Sequence, residues 1–271
     1  MTIFKKCIDF YISSSIHVAL SCYSLVRMTC FMFEIQNSDA PAFFAFFGTI
    51  VGYNFVKYDA LARTQKLQMR TELKAIIGLS FFSFLATVYF FFTLDKTTKI
   101  IAVVFLFLTL LYTLPFFPNR RNARNWAGVK IYIVALCWVG VSLVLPILNA
   151  GIAFDSTILL VGVQRFILIF VLVLIFEIID LRYDDPHLKT VPQQIGVNQT
   201  KIVGSAFLFL FVLLEFLDVN FSIQTLLLKI GVAATTITFL LFANEKKSKY
   251  YSSFWAESIP ILWWILVVLF G

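Results

Sequence analysis

Glu177, Asp180 and Asp184 close a long apolar run, FVLVLIFEIIDLRYDD. Their spacing is i, i+3, i+7. At about 100° per residue a helix brings 177 and 184 to nearly one azimuth and sets 180 about 60° away, so all three share a face over about 10 Å of axis. A carboxylate at the edge of hydrocarbon is costly unless something pairs with it, and by default it marks a functional site. Three like charges on one face repel, and a hard cation relieves the repulsion. Oxygen ligands alone favour Mg²⁺, which is completed by water and substrate phosphate. The chemistry this pattern supports is the grip of a metal-bound diphosphate. Asp180 and Asp184 are the leading metal ligands, with Glu177 next.

Asp185-Pro186 ends that helix, since the residue before a proline avoids helical angles. The polar stretch HLKTVPQQIGVNQTK follows, with Lys189 and Lys201 as phosphate partners. A second constellation is GYNFVKYDALAR. Asn54 ends an apolar helix, and Lys57 and Tyr58 lie one turn on and share its face. With Arg63 they read as a second wall of the phosphate site. Anchoring by basic residues at the cytoplasmic surface accounts for Lys57 and Arg63 equally well. Glu257, in YYSSFWAESIPILWW, either lines a cavity or sits at the interface. His17 reads as a packed or hydrogen-bonded helix residue. The four cysteines show no metal-ligand spacing and read as small hydrophobes.

These side chains must be held by membrane helices. The 271 residues are 60% hydrophobic and 14% charged, against about 45–50% and about 25% in soluble domains. The reading is all-α: a polytopic membrane bundle forming one domain over 1–271. Nine segments approach the length a span needs: 10–33, 40–58, 74–94, 99–117, 129–150, 157–180, 202–218, 221–243 and 254–270. The net charge of +7 does not point to nucleic acid, because the basic residues are dispersed through short loops. With the N-terminus cytoplasmic, most Lys and Arg fall on one side, and the opposite loops hold only Lys96 and Lys99.

Together these pieces resemble the UbiA superfamily of intramembrane prenyltransferases over nearly the whole chain. EIIDLRYD followed by TVPQQIG matches the second aspartate-rich motif, placing Glu177, Asp180, Asp184, Thr190, Pro192 and Gly196 in register. LYTLP resembles the family's Tyr-Ser-x-Pro segment and places Tyr112 in the site, although an interfacial aromatic is the commoner reading. Lys130 sits where the family has a similar feature. The first motif departs: Phe55, Tyr58 and Ala62 stand where its aspartates belong, and only Asn54 survives. The resemblance implies Mg²⁺, an isoprenyl diphosphate donor, a lipophilic acceptor drawn from membrane lipid, and a bacterial cytoplasmic membrane. It assigns catalysis to Asp180, Asp184 and Asn54. Substrate contacts fall to Lys57, Arg63, Tyr112, Lys130 and Lys189, with cations on the facing wall in place of a second metal. The damaged motif favours a rival, a UbiA-like protein that binds lipid or diphosphate without transfer. A transporter is the third reading, and the clustering of the acids at one face argues against it.

Overall fold

The computed structural model describes residues 3–36, 38–64, 71–113, 128–184 and 188–270, with side chains for all of these except 3–4, 59–64, 71 and 111–113. Every regular element among them is helical: α1 (Ile3–Ser13), α2 (Ile16–Met32), α3 (Asp39–Thr64), α4 (Thr71–Thr93), α5 (Lys96–Thr113), α6 (Val129–Val139), α7 (Leu145–Asn149), α8 (Ser156–Asp180), α9 (Val191–Ile195), α10 (Val197–Leu213), α11 (Ile223–Phe242) and α12 (Ile259–Phe270). Among the described residues six units are long and apolar enough to cross a membrane: Glu72–Thr93, Val129–Asn149, Ser156–Asp180, Val197–Leu217, Ile223–Phe242 and Tyr251–Phe270. α1 and α2 together make a seventh, bent by 61°. The expected count of about nine is thus met by six or seven on length and composition. α3 and α5 stand where the sequence places spans two and four, but are not among them.

The bend in the first span has a local cause. Three consecutive serines compete with the helical ladder for hydrogen bonds, and Ser15 adopts left-handed angles, φ 64°. Such a break frees carbonyls, and no water in hydrocarbon can satisfy them. Side chains of α3 do so instead. Lys57 Nζ donates to Ile12 O at 3.3 Å, Tyr58 OH to Ser13 O at 3.0 Å and Asn54 Nδ2 to Ser14 O at 3.0 Å.

A second irregularity follows from Pro146. A proline has no N–H for the carbonyl four residues back and its ring crowds that carbonyl; here it belongs to Ser142. The chain widens into a π-helical turn, Gly140–Val144, between α6 and α7. Ser142 O then accepts from Thr29 Oγ1 at 2.7 Å and from Arg165 Nη1 at 2.8 Å.

α8 is the axis of the bundle. It is apolar all round, the pattern of a helix surrounded by others, and most of its residues from Arg165 to Ile179 are buried. α6, α10 and α11 pack about it. α10 and α11 approach closely at Gly204, where a Cβ would meet Leu240 Cδ2 at 2.6 Å; small residues permit such contacts between membrane helices. Phe81, Phe82 and Phe92 on α4 and Val103, Leu106 and Phe107 on α5 are exposed, the face such a bundle turns to lipid. One buried polar cluster ties α8 to α10 and α11. Lys229 and Glu215 form an ion pair, Lys229 Nζ donates to Gln164 Oε1 at 2.9 Å, and Gln164 Nε2 donates to Glu215 Oε2 at 3.2 Å.

Candidate active site at the end of the central helix

The acids of α8 emerge where the central helix meets the short helix α9. Glu177 is 3% exposed. It does not point to lipid, because its Oε2 accepts the backbone N–H of Val191 at 3.1 Å. That amide opens α9, and a carboxylate at a helix N-terminus is favourably placed. Lys189 precedes α9 with left-handed angles, φ 46°, which turns the chain back toward α8. Gln193 Oε1 accepts Thr190 N–H at 3.0 Å, and Pro192 lies in the first turn of α9, where its missing N–H costs nothing. TVPQQIG is therefore the segment that fixes Glu177. Lys130, at the start of α6, lies within electrostatic range of the Glu177 carboxylate, and so does Asp184.

Asp184 sits in the turn after α8, its backbone N–H bonded to Asp180 O at 3.0 Å. Its Oδ2 is buried and accepts no hydrogen bond among the described residues. A buried acceptor without a donor calls for a bound cation or water. Asp180 is half-buried one turn back, with a partner of its own. Among the described residues no group of three or more His, Cys, Asp or Glu side chains is disposed to cage a metal ion. The donor set still fits Mg²⁺. That ion usually keeps several waters and takes one or two carboxylates plus substrate phosphate, and the free oxygen of Asp184 is a ligand of that kind.

Cations surround this end. The Tyr183 ring lies 4.4 Å from Arg182 Cζ and 5.0 Å from Lys249 Nζ, measured to its centroid. Lys249 comes from the loop before the last span, and nothing in its sequence position announces the pairing. The side chain of Lys189 is exposed. Lys201 is engaged elsewhere: its Nζ caps α11 through Leu241 O at 2.7 Å, which takes it out of the set of phosphate partners. A cleft of about 370 Å³ opens between α6 and α9, lined by Gly128, Val129, Tyr132, Val191, Gln194 and Ile195.

The second wall has a structural duty that the sequence hides. Asn54 is buried, and its Nδ2 bridges Ser14 O to Ser80 Oγ, the latter at 2.9 Å. Its Oδ1 is buried and has no donor among the described residues. Lys57 Nζ also reaches Ser15 Oγ at 3.1 Å. The side chains of Arg63 and Tyr112 lie outside the described residues. Asn54→Leu is expected to destabilise the protein by about 1–3 kcal/mol, because Ser14 O is then buried without a donor. Thermal unfolding in detergent, run beside Ser80→Ala, checks this.

Two solved structures are similar to the chain over almost its whole length. One is the apo structure of a UbiA homolog from Aeropyrum pernix K1, with TM-score 0.64 and 12% identity over 94% of this chain and 98% of that one. The other is a digeranylgeranylglyceryl phosphate synthase, with TM-score 0.57 and 14% identity over 98% and 96%. This chain has the UbiA fold. No protein-family model matches its sequence, and no curated protein matches it either. At such identities the UbiA arrangement of helices persists while the residues between them have largely changed.

Proposed function

We propose that this chain is an intramembrane prenyltransferase that moves an isoprenyl group from an isoprenyl diphosphate to a lipophilic acceptor. The observation that carries the reading is the buried Oδ2 of Asp184, which has no donor among the described residues and lies in electrostatic range of Glu177, with Lys130 in range of Glu177 in turn. Asp180 and Asp184 would hold Mg²⁺, and the ion's chemistry there is to withdraw charge from the diphosphate oxygens. Glu177, held by Val191 N–H, orients the end of α8 and offers its charge to Lys130. Lys189 and Lys249 offer point charges to diphosphate oxygens. As the allylic carbon–oxygen bond lengthens, these fixed charges stabilise the negative charge growing on the leaving group. On this reading, aromatic rings packed between α2, α3 and α4 would supply the apolar lining that shields the developing cation from water. Tyr23 and Phe43 stand 5.8 Å apart and Phe43 and Phe90 5.3 Å, centroid to centroid.

The second reading is a non-catalytic member that binds diphosphate or lipid. It is favoured by the employment of Asn54, Lys57 and Tyr58 in closing the break of the first span. The test offers purified protein farnesyl or geranylgeranyl diphosphate with membrane lipid extract. The expected result is Mg²⁺-dependent diphosphate release that Asp180→Ala abolishes. Donor binding without release selects the second reading. Lys57→Met in single turnover should slow release about 10-fold or more if its charge serves the second wall. Unchanged rates confine Lys57 to the helix break.

A further inference from the structure

We propose that the cleft between α6 and α9 receives the uncharged, hydroxyl-bearing head of a lipid, and that an aromatic groove running from it across α8 holds that lipid's tail. On the prenyl-transfer reading, on which this role rests, that lipid is the acceptor.

The groove has a floor and two rims. Phe170 on α8 is 6% exposed and forms the floor. Tyr132 from α6 stands against it at 5.4 Å and Phe207 from α10 at 5.3 Å, centroid to centroid. The two rim residues are themselves 51% and 36% exposed. Phe166, one turn away on α8, extends the floor toward Tyr132 at 6.5 Å. All four lie in units long and apolar enough to cross a membrane. This face therefore opens to hydrocarbon, and its occupant comes from the bilayer. Ten residues of helix put Phe170 about 15 Å from Asp180 along α8, about half the depth of the hydrocarbon core.

Tyr132 also lines the cleft, so cleft and groove are continuous. The cleft's volume of about 370 Å³ is that of a small-molecule site, and like such sites it sets a few polar groups among apolar walls. None of its lining residues is charged. Gln194 Nε2 is tied to Lys189 O at 2.5 Å, which leaves Gln194 Oε1 to accept from a hydroxyl. Gly128, with φ 72°, brings bare backbone up to this amide: a Cβ there would lie 3.6 Å from Gln194 Nε2. A diphosphate meets no charge in this lining, whereas an uncharged polar head meets an acceptor beside an apolar wall.

Val191 joins the cleft to the acids. It lines the cleft, and its N–H is held by Glu177 Oε2 at 3.1 Å. A head group seated in the cleft is thus one residue away from the acidic end of α8, and its tail lies along the lipid face.

The test photolyses the protein in bicelles with a diazirine-bearing hexadecanol and locates the label by peptide mass spectrometry. Labelling should concentrate on the segments holding Tyr132, Ile195 and Phe207. Ile195→Trp, which fills the cleft from an exposed position, should lower it about 10-fold or more. Gln194→Leu, which removes the acceptor oxygen, should lower it about 5-fold. Both variants should keep the wild-type unfolding midpoint. With farnesyl or geranylgeranyl diphosphate and membrane lipid extract, Ile195→Trp should raise the KM for the extract and leave Mg²⁺-dependent donor binding unchanged. Labelling of the exposed face of α4 as strong as that of the groove shows general lipid contact and overturns the proposal. So does labelling that both variants leave unchanged, or loss of donor binding in Ile195→Trp, which would give the cleft to the donor. A wild type labelled in the groove that forms no product keeps the lipid site and brings down the prenyl-transfer reading. Product formation by Ile195→Trp at the wild-type KM removes the acceptor role of the cleft alone.

Discussion

Asp184→Ala is expected to lower Mg²⁺-dependent diphosphate release by about 100- to 1000-fold while leaving the unfolding midpoint unchanged or slightly raised. The activity figure is what removal of one fixed electrostatic contact to a transition state typically costs. The stability sign comes from the structure. Asp184 Oδ2 is buried with no donor, and Asp184 lies within range of the like charge of Glu177. A buried acceptor left unpaired costs about 1–3 kcal/mol, so its removal takes away a penalty rather than a bond. Activity and stability moving in opposite senses is the mark of a group kept for function. A variant that loses both together would place Asp184 among the structural residues. One that loses neither would remove it from the site. The measurement pairs a release assay with thermal unfolding in the same detergent. Glu177→Gln is the natural comparison, because Glu177 holds the start of α9 and should lose stability as well as activity.

How far the sequence could be read differs between the two walls. The acids are readable as a group because their spacing is local, although α8 ends at Asp180 and Asp184 lies in the turn that follows rather than on a further helical turn. Runs of apolar residues likewise place the helices closely, and α8, expected at 157–180, spans Ser156–Asp180. The second wall is not legible in that way. Asn54, Lys57 and Tyr58 look like ligands for a phosphate until the triple serine is seen to break the first span 40 or more residues earlier and to present three carbonyls that they bond. A sequence shows that Lys57 is basic; only the fold shows which acceptors it faces. Pro146 is readable as a disturbance, but not its consequence, since the partners of Ser142 O come from α2 and α8. Tyr183 and Lys249, paired as ring and cation, are equally invisible at their separation in the chain.

The largest stability effect belongs to Lys229, a residue that the sequence shows only as a charge inside a span. Lys229 is 5% exposed and Glu215 is 1% exposed. With Gln164, itself 1% exposed, they form one hydrogen-bonded cluster between α8, α10 and α11. Lys229→Met leaves the Glu215 carboxylate buried with only the neutral donors Gln164 and Thr225, and removal of one partner of a buried pair typically costs about 3–5 kcal/mol. Glu215→Leu combined with Lys229→Met removes both charges and should recover most of that loss, since an apolar pair of similar volume is often as stable. Denaturant unfolding in detergent or bicelles of the two single variants and the double variant measures the coupling directly. Additive losses would show that the two charges do not depend on each other. The same variants separate scaffold from chemistry. Gln164 and Glu177 lie on one helix about 20 Å apart along its axis at 1.5 Å per residue. The double variant, once folded, should therefore release diphosphate at the wild-type rate, as Asp184→Ala should not.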